Sequence, residues 1–187
     1  MLQVEEGQGR LTMTGKTITK HGVATLLFAL VVALVSVPAA CSSSTSGTTV
    51  SVYLADRNVS EGEGFSVDVK ITTGTPCRGA QFGLGFDPTL MKCDGVSEGT
   101  FFKDWADANG ASTLMLPQSP AIDNSRGRIP TVGIAIMGVG GGGAKGSGVL
   151  CSYQFTALVS GKVDLTLSDV VVTDDSGRSV PDVEINN

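Results

Sequence analysis

From Val50 onward, apolar residues recur at every second position. Val50, Val52 and Leu54 alternate with polar neighbours, as do Phe65, Val67, Val69 and Ile71, and then Ala80, Phe82, Leu84 and Phe86. A period of two puts one class of side chain on one face of an extended chain, so each run predicts a strand with a single buried face. Asp87-Pro88 ends the third run with a turn-initiating pair. Met91 and Cys93 start a fourth. The pattern returns at Val132, Ile134 and Ile136; at Cys151, Tyr153, Phe155 and Ala157; at Val163, Leu165 and Leu167; at Val170 and Val172; and at Val183 and Ile185. Turns such as Ser160-Gly161 and Asp175-Ser176-Gly177 separate the later runs, and Phe101–Ala106 predicts one short helical turn. Nine short strands with one apolar face each predict an all-β fold, an antiparallel sandwich of two sheets.

The pattern before Val50 is different. Val23 to Ala40 is eighteen residues without a charge, preceded by Lys16 and Lys20 and closed by small residues and Cys41. This is the layout of an export signal. Leu-Val-Ser-Val-Pro-Ala-Ala-Cys resembles a bacterial lipobox, which implies lipidation of Cys41 as the first mature residue; Pro38 departs from the usual aliphatic residue there. Eighteen apolar residues also suffice for an uncleaved transmembrane anchor, and ordinary secretion is the third reading. Residues 42–49, rich in Ser, Thr and Gly, predict a flexible spacer. The expected organisation is a leader over 1–41, a linker over 42–49 and a folded domain over 50–187, outside the cytoplasm and held at the membrane.

Composition then removes whole classes of function. The net charge is −5 and no basic cluster exceeds a pair, so nucleic acid is excluded as a partner, since phosphate binding needs a Lys/Arg surplus. The only histidine, His21, precedes the apolar stretch of the leader. The domain therefore lacks a Ser-His-Asp or Cys-His catalytic set and any His-ligated metal. Most acidic residues fall in predicted turns, among them Asp87, Asp94, Asp174 and Asp175. The reading is a protein that is not an enzyme, with no catalytic residues and no metal or cofactor of its own. Gly138–Lys145 is no phosphate loop, because Ala144 precedes Lys145 and Gly146 follows it. A disulfide between Cys77 and Cys93 is expected in an oxidising compartment, with Cys93–Cys151 or three free thiols as alternatives.

Several segments carry a family resemblance. Gly79-Ala80-Gln81-Phe82-Gly83-Leu84-Gly85-Phe86-Asp87-Pro88-Thr89-Leu90-Met91 resembles the cohesin signature, and Val96-Ser97-Glu98-Gly99-Thr100-Phe101 is similar to the segment that follows it. Gly148–Ala157 and Leu165–Pro181 resemble the late strand and the closing hairpin of that family. The resemblance implies a nine-stranded jelly roll related to some carbohydrate-binding modules. It also implies that one sheet face docks a dockerin-type module of another protein, with calcium entering through that partner, in polysaccharide-related surface assemblies. Residues expected to point outward on the docking strands are Gln81, Gly83, Gly85, Thr131, Gly133, Ala135, Ser152 and Gln154. Direct carbohydrate binding is the alternative. It requires exposed aromatic rings, for which Tyr53, Phe101, Phe102 and above all Trp105 are available. A self-pairing structural protein of the cell surface is a third reading.

Overall fold

The computed structural model describes residues 47–138 and 140–187. The leader, Cys41 and residues 42–46 of the linker lie outside the described residues, as does Val139. Along the described chain run β1 (Thr49–Tyr53), β2 (Asn58–Val59), β3 (Gly64–Phe86), β4 (Met91–Glu98), α1 (Phe101–Ala108), β5 (Ser112–Leu116), β6 (Arg128–Met137), β7 (Ala144–Ala157), β8 (Gly161–Lys162), β9 (Leu165–Asp174) and β10 (Glu184–Asn186). The end of the linker already belongs to the fold. Thr48 is buried, its Oγ1 lies 2.8 Å from Thr73 Oγ1, and its carbonyl accepts from the Glu184 amide at 2.9 Å.

β3 organises the two layers. Its first part, Gly64 to Thr73, pairs with β1 on one side and β7 on the other. Its last part, Gly79 to Phe86, pairs with β6 and β9. Between them lies Thr73-Gly74-Thr75-Pro76, where the β7 ladder shifts register. Proline has no N–H to offer the ladder, so the pairing breaks there and the chain is free to change partners. One layer reads β10-β1-β3-β7-β4 and the other β9-β3-β6-β5. The sandwich is the fold class the alternation predicts, with a correction: β1 and β10 run parallel, while the other ladders are antiparallel.

The core holds the inward positions of the periodic runs: Val67, Val69 and Ile71, then Phe82 and Leu84, then Tyr153 and Phe155, are all nearly or wholly inaccessible. Phe155 joins the layers. Its ring stacks on Phe65 at 5.6 Å and meets Phe86 edge-on at 5.2 Å. α1 connects β4 to β5, burying Phe101, Phe102 and Ala106. Gly148 admits this helix, since a side chain there would stand 2.9 Å from a Phe101 ring carbon.

The expected Cys77–Cys93 disulfide does not form; Cys77, Cys93 and Cys151 are all free and buried. The register explains why. Cys77 aligns with Ala144 of β7, whereas Cys93 aligns with Phe155 of the same strand. Eleven intervening steps make roughly 35 Å of strand at about 3.3 Å per residue, and a disulfide needs Cα atoms within about 7 Å. Burial pushes the Cys93 thiol up to about 11 and the Cys151 thiol up to about 12, and it raises Cys77 as well. These folded-state values lie above the ordinary 9.0. The stability they contribute is therefore complete below that pH and is lost as pH rises toward the folded values. We expect the three thiols to resist an alkylating reagent at neutral pH and to react together in denaturant, read by intact mass. Fast labelling of the folded protein would contradict this packing.

Candidate functional site

The two outer faces of the sandwich differ in chemistry. On the β1-β3-β7-β4 layer, the outward side chains hydrogen-bond to one another. Ser152 donates to Asp68 at 2.7 Å, Gln154 to Ser66 at 3.1 Å, and Thr156 to Asp94, which also pairs with Lys92 at 3.0 Å. The Thr156 hydroxyl, followed by Lys92, holds the Asp94 carboxyl below the usual carboxylate range. This face is polar and already satisfied.

On the β9-β3-β6-β5 layer the outward residues form two rows across the sheet. Thr173, Gly79, Ala135 and Leu114 make one row, and Val171, Gln81, Gly133 and Leu116 make the next. In the first row the small Gly79 and Ala135 lie between larger edge residues, and in the second Gly133 lies beside Gln81, a long polar side chain on the central strands. The result is a shallow groove of about 240 Å³ with a glycine and alanine floor and walls from Leu114, Leu116 and Val171. Leu116 is 56% exposed and Met137, farther along the outward side of β6, is 46% exposed. An exposed apolar strip on one sheet face is the usual mark of a surface that meets another protein. The β6 glycine permits close approach, because a side chain at Gly133 would meet only the Leu116 carbonyl, at 3.9 Å.

Six of the eight expected face residues belong to this layer: Gln81, Gly83, Gly85, Thr131, Gly133 and Ala135. Ser152 and Gln154 do not. They lie on β7 opposite Asp68 and Ser66, on the outer face of the other layer. Gly83 is buried, because β9 bulges over it and brings Ser168 Oγ within 2.7 Å of where a Cβ would sit. Leu114, Leu116, Val171 and Thr173 were absent from the expected set. Outward leucines at β5 break the inward-apolar rule on which that set rests.

The aromatic candidates do not share a platform. Phe101 and Phe102 are buried, and exposed Tyr53 carries the Lys70 ammonium 3.2 Å from its ring centre. Trp105 is half-buried and packs against the core from α1, with Gly142 close to its ring. Among the described residues, no helix is long and apolar enough to cross a membrane, and no three His, Cys, Asp or Glu side chains cluster as a metal site.

Solved structures place this architecture. A non-cellulosomal cohesin from the archaeon Archaeoglobus fulgidus superposes with a TM-score of 0.55 at 21% identity, over 75% of this chain and 87% of its own. The second type II cohesin module of the adaptor ScaA scaffoldin from Acetivibrio cellulolyticus superposes at 0.59 and 12% identity, over 76% and 96%. A third similar chain, at 0.58 and 11% identity over 75% and 96%, comes from a type II Cohesin-X-Dockerin complex of Acetivibrio cellulolyticus. No family model and no curated protein matches the sequence. The chain has the cohesin fold.

Proposed function

We propose that this protein is a membrane-tethered docking module whose β9-β3-β6-β5 face receives a dockerin-like module of another protein. The observation that carries the reading is the groove: a floor of Gly79, Gly133 and Ala135 between apolar walls, with Leu116 left exposed at its edge. A stable interface takes roughly 800 Å² from each partner, so the partner would cover the sheet beyond the groove itself. The opposite face, its hydroxyls and carboxylates already paired, offers less to a partner. The likeness to chains solved with dockerins, including the sixth cohesin of scaffoldin B with a Cel5 dockerin, supports the same partner class. Calcium belongs to that partner in this reading, and the assembly it joins is polysaccharide-related.

Titration of the protein against a panel of dockerin modules tests the proposal. Saturable binding to at least one, lost when calcium is chelated, is expected; a flat response across the panel would contradict it. For the tether, we propose that Cys41 carries lipid. Metabolic labelling with palmitate should mark the protein, and Cys41→Ala should abolish the label. A wild-type protein that stays in the membrane fraction without label would support an uncleaved anchor instead.

A further inference from the structure

We propose that a second site, the cleft between α1 and the start of β7, binds a single saccharide ring. Thr100, Asp104, Trp105, Lys145, Ser147 and Gly148 line this cleft of about 320 Å³. It shares no residue with the docking groove, so the two proposals stand or fall separately. Its chemistry is also different, with one carboxylate, one ammonium, two hydroxyls and an indole.

Asp104 and Lys145 border the same cleft, yet among the described residues neither side chain makes an ion pair or a hydrogen bond. Lys92 and Asp94, by contrast, close on each other at 3.0 Å. Here an acceptor and a donor are left facing an entering molecule. The rest of the cleft is held in place. Ser147 Oγ lies 2.9 Å from Thr72 Oγ1. Gly142, at a φ of +80°, lies so close to the indole that a Cβ would stand 3.1 Å from Trp105 Cζ2, and Asn109 Nδ2 donates to the Trp105 carbonyl at 2.7 Å.

A pyranose matches this set group for group. Its C–H face is apolar and packs on an aromatic side chain, and its neighbouring hydroxyls both donate and accept. They satisfy a carboxylate, an ammonium and two hydroxyls together. The volume suits one ring, and with no coplanar ring beside Trp105 the site has no means of tracking a long chain. Free amino acids also carry both charges but leave the Thr100 hydroxyl without a role.

Trp105 is the only tryptophan in the chain, so its fluorescence reports this cleft alone. Titration of the full chain with glucose, galactose, xylose and N-acetylglucosamine should give, for at least one, a saturable change in the millimolar range. Asp104→Ala and Lys145→Ala should each weaken that binding roughly tenfold, the usual effect of losing a hydrogen bond to a charged group. Both side chains are exposed, so the melting temperature should hold. No saturable response to any sugar would overturn the proposal. So would an equal response to glycine, or undiminished sugar binding by both variants.

Discussion

Gly133→Arg is expected to abolish docking while leaving the domain folded. Gly133 sits in the middle of an outward row, between Gln81 on β3 and Leu116 on β5. Its φ is not in the left-handed region, and a Cβ there contacts only the Leu116 carbonyl at 3.9 Å. The backbone therefore accepts a side chain, and a strand position generally prefers one to glycine. Stability should change by no more than about 0.5 kcal/mol, as for an ordinary surface substitution. The guanidinium, however, must occupy the groove between Leu114, Leu116 and Val171, where a partner would pack. Filling the centre of an interface with a charged, bulky group should weaken binding at least about 100-fold, or roughly 2.7 kcal/mol. Gln154→Arg, on the opposite face, serves as the control and should bind like the parent. Isothermal titration and thermal melts of both variants read the two effects separately.

Phe155→Ala should have the largest effect on stability. Phe155 is 1% exposed and contacts Phe65 of its own layer and Phe86 of the facing one. Truncation removes both ring pairs and leaves a cavity between sheets that cannot close without moving β3. A buried Phe→Ala change typically costs about 3–5 kcal/mol, and a domain of this size has only about 5–15 kcal/mol in all. The melting temperature should fall by roughly 10–20 °C. A drop of a degree or two would mean that Phe155 does not hold the layers together.

The residues that fill the core were legible because burial enforces the period of two: Phe82, Leu84, Tyr153 and Phe155 alternate in sequence and all point inward. The number of strands was less so. Thr73-Gly74-Thr75-Pro76 has the composition of a turn, yet the chain stays extended through it and merely changes pairing partners. β5 is hidden in the sequence because its leucines face outward, with only Met115 packing on the core. Parity states which way a side chain points relative to its own sheet, and it carries no information about which sheet a strand joins. That is why parity groups the outward Ser152 and Gln154 with residues of the opposite layer. The cysteine pairing fails on register, since the separation of Cys77 and Cys93 depends on which positions of β7 each aligns with. Trp105 is legible in the sequence as an aromatic available for a sugar, but Asp104 and Lys145 come to border one cleft with it only when α1 packs on β7.

We propose that a partner protein sits on the β9-β3-β6-β5 face, with its small and apolar outward residues, and not on the polar face across the core. Hydrogen–deuterium exchange of the protein with and without a saturating dockerin partner addresses it directly. Slowed exchange is expected in β5, β6 and β9, with β4 and the adjoining stretch of β7 unaffected. Protection centred on Ser152 and Gln154 instead, with β5 exchanging freely, would contradict it.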